Sequence, residues 1–167
     1  MRWLVDGYNV IRREPGLSAR EQVSLQAGRY ALCRMLTAAA RASGDQFTVV
    51  FDGTRGGGTV SSSGGIRVLF SKAPERADQV LARLAGAGVA VVSNDRDVRR
   101  AADRAGAVAV TTDEFLTRVL APPIPDKDED DDPDPGPKKG NPRRLPKKAR
   151  AAQRALRRLG PTTKKFP

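Results

Sequence analysis

Three apolar runs in this chain stop on an aspartate. "WLV" (3–5) is closed by Asp6, "VVF" (49–51) by Asp52, and "VVSN" (91–94) by Asp95. In an open parallel sheet the carboxyl ends of the strands share one edge, and ligands bind in the crevice outside it. If the three runs are strands of one such sheet, their carboxylates converge. Asp78, early in a helix predicted after a flexible loop, leans over the same edge. Clustered carboxylates repel and raise one another's pKa unless a cation sits among them. Oxygen donors without His or Cys suit a hard ion, Mg²⁺ or Mn²⁺. Such an ion polarises a phosphoryl oxygen and lowers the pKa of an attacking water, which is the chemistry of phosphodiester hydrolysis.

Each acid taken singly has a plainer reading. Asp6-Gly7 and Asp52-Gly53 have the composition of turns. Asn94 or Asp95 could cap the next helix, and Asp78 reads equally as a solvated helix residue. Asp97 and Asp103 read as first-turn and surface charges, and Asp113 in "TTDE" as part of a helix start. The convergence of strand ends, not any one position, carries the metal reading.

The elements that must position these residues follow from hydrophobic periodicity. Short apolar strands are predicted at 3–5, 47–53, 66–70, 88–95 and 107–110. A long helix is predicted from about Ser18 to Ala42, with Ser18 and Glu21 at capping-box spacing, Leu25, Leu32 and Leu36 on one side, and Gly44 as its stop. Further helices are predicted over 75–85, over "DVRRAADRAG" with Gly106 just past its end, and over 113–120. The run "GGGTVSSSGG" (56–65) reads as a flexible excursion with nothing to bury. Continuous apolar strands alternating with helices imply a mainly parallel sheet covered on both faces, a three-layer α/β/α domain over residues 1–120.

After Ala121 the composition changes. Residues 1–120, 121–137 and 138–167 carry net charges of +5, −6 and +12 within the overall +11. The middle segment reads as an acidic, Pro-rich disordered linker. The last reads as a basic tail with a thin apolar face, able to form a helix from about Lys147 on a partner. Its charge suggests RNA, DNA or ribosomes ahead of a membrane. The absence of His excludes His-based triads, general bases and zinc sites, and the single Cys33 excludes a disulfide framework. No long apolar span or signal peptide is visible, so a cytoplasmic protein is expected. Oligomeric state is not legible.

The motifs "VDGYNVI" (5–11), "VVFDG" (49–53), "ERADQVL" (75–81) and "VVSNDRDVR" (91–99) resemble the NYN domains of the PIN-like nuclease superfamily, nearest its small bacterial YacP-like branch. The resemblance covers roughly residues 2–120. It implies a PIN-like fold and a metal-dependent ribonuclease, with Asp6, Asp52, Asp78 and Asp95 as catalytic and metal-binding acids. Asp97, the second acid of the last motif, would be a further metal ligand, and Asn9 would orient ligands or substrate. Around these, Arg12, Arg13, Lys72 and Arg76 flank the acidic motifs and could meet an RNA backbone. Arg55 and Arg67 border the glycine-rich loop, which lacks the order of a P-loop, and are available for RNA phosphates. Tyr8 is the candidate for base stacking.

The leading expectation is therefore an Mg²⁺- or Mn²⁺-dependent endoribonuclease acting on single-stranded RNA, with ribosome association as an extension of the basic tail. The alternative is a non-catalytic RNA- or ribosome-binding module on the same fold, although a polyanion binder gains nothing from clustered acids. A phosphatase with Asp6 as nucleophile usually wants an acid at position 8, which is Tyr. A dinucleotide-binding fold lacks its glycine-rich turn after the first strand.

Overall fold

Side-chain alternation along the central strand decides how the sheet is covered. The computed structural model describes residues 1–53, 59–63, 65–121 and 146–159. Strand β1 (Arg2–Asp6) runs directly into α1 (Gly7–Arg13), followed by α2 (Pro15–Val23), α3 (Leu25–Ser43), β2 (Gln46–Phe51), β3 (Thr59–Ser63) and β4 (Ile66–Phe70). Then come α4 (Ala77–Leu84), β5 (Val89–Val92), α5 (Arg96–Arg104), β6 (Val108–Val110), α6 (Thr112–Val119) and α7 (Lys147–Arg158). The strands form one six-stranded sheet in the order β3-β4-β2-β1-β5-β6. Five are mutually parallel, and β3 pairs antiparallel with β4. The expected mainly parallel α/β/α architecture is therefore present.

In β1, Trp3 and Val5 face one core and Leu4 the other, as the pleat requires. The first core joins residues of α1, α2, α3, α6 and α7 to Phe47, Val49, Phe51, Val92 and Val110. The second packs α4 and α5 on Val50, Val89 and Val91. With both faces covered, strands such as "VAVV" are buried at every position, which is why they read as continuous apolar runs.

Four local features differ from the sequence expectation. Helix α1 follows β1 without a loop, because Asp6 is both the last strand residue and the helix N-cap. The single helix expected over 18–42 is two, since Ser24 is extended (φ −164°, ψ 150°) and its hydroxyl accepts the Ala27 N–H at 3.0 Å. Ser18 consequently lies inside α2, which Glu14 caps with Pro15 in its first turn. The excursion at 56–65 contains β3, for β4 would otherwise present an unpaired edge.

The fourth difference is α7. Instead of awaiting a partner, this basic helix seats its thin apolar face on the domain itself. Ala152, Ala155 and Leu159 are buried with Val110, Phe115 and Val119. Arg118 Nε donates to the carbonyls of Leu156 (3.0 Å) and Leu159 (2.7 Å), satisfying acceptors that a helix end leaves over. Lys148 Nζ reaches Asp103 at 2.7 Å, so α7 bridges to α5 as well. Small alanines let the helix approach the edge strand β6 closely. Beyond Ala121, the acidic linker lies outside the described residues, as do the basic stretches on either side of 146–159.

Docking of α7 makes Leu159 a core residue. Leu159→Ala should lower unfolding free energy by about 2–5 kcal/mol in urea titration, whereas a tail free in solution would show no change.

Candidate active site

The carboxyl ends of β1, β2 and β5 form one edge, and the expected acids meet there. Asp6 is 8% exposed. Its Oδ1 accepts the Asn9 N–H at 3.2 Å and its Oδ2 accepts the Ser93 hydroxyl at 3.0 Å. Asp52 follows β2; its Oδ1 accepts from Ser71 Oγ (3.1 Å) and from the Ala77 N–H (2.7 Å). That second bond ties the start of α4 to the strand end and brings Asp78, in the helix's first turn, to the same edge. Asp95 caps α5 through Oδ1, which accepts from Asp97 N (2.7 Å) and Val98 N (3.2 Å). The capping role considered from sequence is real for Asp95, and it coexists with membership of the acidic group.

Electrostatics shows that these acids sense one another. Burial pushes the Asp6 carboxyl above the ordinary carboxylate range, its two hydrogen bonds pull back, and the charges of Asp78 and Asp52 push it further up. Asp78 is also raised, by desolvation and then by Asp95 and Asp52, with Arg76 opposing. Asp6, Asp52 and Asp78 line one cleft of about 560 Å³ with Tyr8, Asn9, Arg12, Arg13, Leu25, Arg29, Ala77 and Asn94. Among the described residues, no group of three or more Asp, Glu or Cys side chains is arranged to hold one metal ion between them. The acids are coupled without closing on a common point.

Asn9 is a structural tie at the floor of this edge. Its Oδ1 accepts from Asn94 N and from Thr112 Oγ1, both at 3.1 Å, locking the end of β1 to the ends of β5 and β6. Asn94 continues the network: its Oδ1 accepts the Thr112 N–H (2.9 Å) and its Nδ2 donates to Asp113 Oδ2 (3.0 Å). Asp113 also pairs with Arg13, and that bond first, then Asn94's, holds its carboxyl below the usual range.

Several sequence candidates lie elsewhere. Asp97 is 91% exposed on its side chain and pairs with Arg100 at 3.5 Å, so it is not brought to the cleft. Arg67 pairs with Thr48 near the amino end of β4 and lines a different depression with Arg2, Gln46 and Val89, at the opposite edge of the sheet. Lys72 is exposed just beyond β4 and outside the cleft wall. Arg76 stands beside Asp78 as the N-cap of α4. Arg55 lies outside the described residues. Tyr8 is in the cleft, but Phe51 meets its ring at 5.1 Å and the guanidiniums of Arg12 and Arg29 lie 5.3 and 5.4 Å from its centroid. A base would have to displace one of them to stack.

Ser71, Ser93, Thr112 and Arg29 were not singled out from sequence, and Asp113 was read there only as part of a helix start. The two serines had a readable signal, since each is the first polar residue after an apolar strand, at "VLFS" and "VVS". Both Asp-Gly glycines serve close packing. A Cβ on Gly7 would stand 2.2 Å from Phe51, and one on Gly53 would stand 2.1 Å from the Ser71 carbonyl oxygen.

The raised Asp6 pKa has a stability consequence. A carboxyl whose folded pKa exceeds its unfolded value contributes fully in acid and loses that contribution as pH rises through the folded pKa. In EDTA, Asp6→Asn should therefore unfold at a higher temperature than wild type near pH 7. The gain should disappear as pH falls below the unfolded carboxylate value; scanning calorimetry across pH reads both.

The geometry can be set beside known proteins. The YacP-like NYN domain model matches residues 3–158, a span that includes α7. Crystal structures of Rae1 (YacP) from Bacillus subtilis are similar. One, of a point mutant of that protein, superposes with a TM-score of 0.58 at 26% identity, covering 71% of this chain and 74% of that one. The other gives 0.56 and 25%, over 71% and 73%. No protein of curated function matches. The expected resemblance is thus borne out over a longer stretch than its motifs spanned: this chain belongs to the YacP-like NYN domain family, whose fold implies a nuclease-type function directed at RNA.

Proposed function

We propose that this protein is a metal-dependent endoribonuclease that hydrolyses phosphodiester bonds of single-stranded RNA, whether free or presented by a ribosome. The observation that carries this reading is the gathering of Asp6, Asp52 and Asp78 in one cleft on one sheet edge. Burial and then the charges of Asp78 and Asp52 raise the Asp6 pKa, and burial and then Asp95 and Asp52 raise that of Asp78. A protein that merely binds a polyanion is hindered by such a cluster. A hard divalent cation relieves it, and the all-oxygen donor set fits Mg²⁺ or Mn²⁺.

Asp6, Asp52, Asp78 and Asp95 would supply the oxygen donors, and since they do not close on a common point the ion would have to draw them together on binding. When bound, it supplies Lewis acidity at the phosphoryl group. The chain's own contribution is orientation. Ser93 and the Asn9 N–H fix the Asp6 carboxylate, while Ser71 and the Ala77 N–H fix that of Asp52. Arg13, held by Asp113, stands on the cleft wall as a cation that can face the RNA backbone. The exposed basic face of α7 adds long-range attraction for a polyanion. No helix among the described residues is long and apolar enough to cross a membrane.

The test is cleavage of a long single-stranded RNA with Mn²⁺, with Mg²⁺ and with EDTA, with and without ribosomes. Wild type should cut only with metal, and Asp6→Asn and Asp95→Asn should abolish cutting. Ser93→Ala, which removes a bond to a metal-facing carboxylate, should lose about 10–100-fold in activity or metal affinity. Added Mn²⁺ should also raise the wild-type Tm and leave that of Asp6→Asn unmoved. Should wild type bind RNA yet cut nothing under any of these conditions, the chain is a binding module.

A further inference from the structure

Three arginines, Arg12, Arg13 and Arg29, line the acidic cleft, and they are not equivalent. Arg13 is paired with Asp113, and Arg12 lies 3.9 Å from Glu21. Among the described residues, no carboxylate lies within ion-pair distance of Arg29. Its guanidinium is instead surrounded by aromatic rings, 4.9 Å from the centroid of Phe70, 5.4 Å from Tyr8 and 5.5 Å from Phe51. Nε donates to the Tyr8 hydroxyl at 2.9 Å, and Nη2 donates to the same oxygen.

Ring faces attract a cation without neutralising it. Arg29 is half-buried on α3, so its charge is partly removed from water and has no counter-charge. A desolvated, unpaired charge is unfavourable until an anion joins it. The guanidinium has five N–H donors in a rigid fork. Tyr8 occupies the Nε side, which leaves Nη1 for a ligand. The anion entering a cleft whose other lining residues include Asp6, Asp52 and Asp78 must overcome their repulsion, so a fixed cation there has a clear use.

We propose that Arg29 is a phosphate-binding residue of this cleft, donating through its Nη1 side to a non-bridging oxygen of the RNA backbone, with Tyr8 as the residue that positions it. The assignment rests on the RNA-directed reading above and deepens it. It also gives Tyr8 a different task from base stacking: its hydroxyl accepts from the fork and its ring supports the guanidinium. Arginine is suited to this because its rigid, always-charged fork can be held by Tyr8 on one side while donating to phosphate from the other, which lysine cannot reproduce.

Binding of a short single-stranded RNA in EDTA, across a series of salt concentrations, tests the proposal without cleavage. Arg29→Gln should bind about 10–100-fold more weakly. It should also flatten the plot of log K against log salt by about 0.7, one single-strand phosphate contact. Arg29→Lys should keep the wild-type slope and lose part of the affinity. Tyr8→Phe should do the same, since it removes orientation and no charge. A folded Arg29→Gln with the wild-type slope overturns the assignment, because a residue with only a structural role removes no phosphate contact and leaves the salt dependence unchanged.

If Arg29→Gln does not fold, wild type and Arg29→Lys are compared on RNAs carrying one neutral methylphosphonate. The position that weakens wild type most should weaken Arg29→Lys less, and equal losses everywhere refute the contact. A wild type that binds with the expected slope pattern but never cuts removes the nuclease reading and supports Arg29. One that cuts while Arg29→Gln keeps its slope removes Arg29 alone.

Discussion

The Asp6 carboxylate sits at the end of the central strand of a sheet covered on both faces, where water can do little to stabilise its charge. Two hydrogen bonds offset part of that loss, one from the Asn9 N–H and one from the Ser93 hydroxyl. Each donor is committed to further structure. Ser93 Oγ accepts the Asp95 N–H at 3.1 Å, which aims the chain into α5. Asn9 accepts from Asn94 and Thr112, which joins β1 to the loops after β5 and β6. A single buried acid thus organises the whole carboxyl edge, because every group that stabilises it must itself be held in place. Charge-assisted hydrogen bonds of this kind are stronger than neutral ones and fix geometry accordingly.

Asp52 repeats the device on the neighbouring strand, with Ser71 in the place of Ser93 and the Ala77 N–H in the place of the Asn9 N–H. Both acids are followed by glycine, and the reason is the same in both places. The backbone after the acid passes against Phe51 in one case and against the Ser71 carbonyl in the other, too closely for any side chain. Neither Gly7 nor Gly53 has a positive φ. The glycines let the strand end approach its neighbour so that the acid can point along the edge and not into the sheet.

This bears on how much could be read from the chain. The parallel strands were legible because burial on both faces leaves no polar position to interrupt them, and Asp6, Asp52 and Asp95 were legible as the points where that burial stops. The split between α2 and α3 was not, because helical periodicity continues through Ser24 while its side chain competes for the Ala27 N–H. Strand β3 was hidden in a Gly- and Ser-rich run, whose composition carries no apolar alternation to announce a strand. The docking of helix α7 was not legible either, because two alanines and one leucine make a weak apolar signal, although on a nearby edge strand small residues give close contact. Arg29 carried no signal at all. Its meaning lies in Tyr8, Phe51 and Phe70, which come from three separate elements.

The distribution of charge ties these points together. Arg13 and Arg12 are drawn towards acids outside the clustered carboxylates, Asp113 and Glu21, so neither collapses onto Asp6 or Asp52. Arg29 is kept off them by its rings and by Tyr8. A cation free to swing would form ion pairs with the clustered carboxylates and cancel their negative field. Holding each arginine by a separate partner preserves the negative edge and a positive wall within the same cleft. Helix α7 extends the same separation on a larger scale. Its apolar side is consumed by the core, so Arg150, Arg154, Arg157 and Arg158 remain exposed on a fixed ridge beside β6. Under the proposed function, that ridge attracts RNA from a distance, while the cleft selects a phosphate at close range.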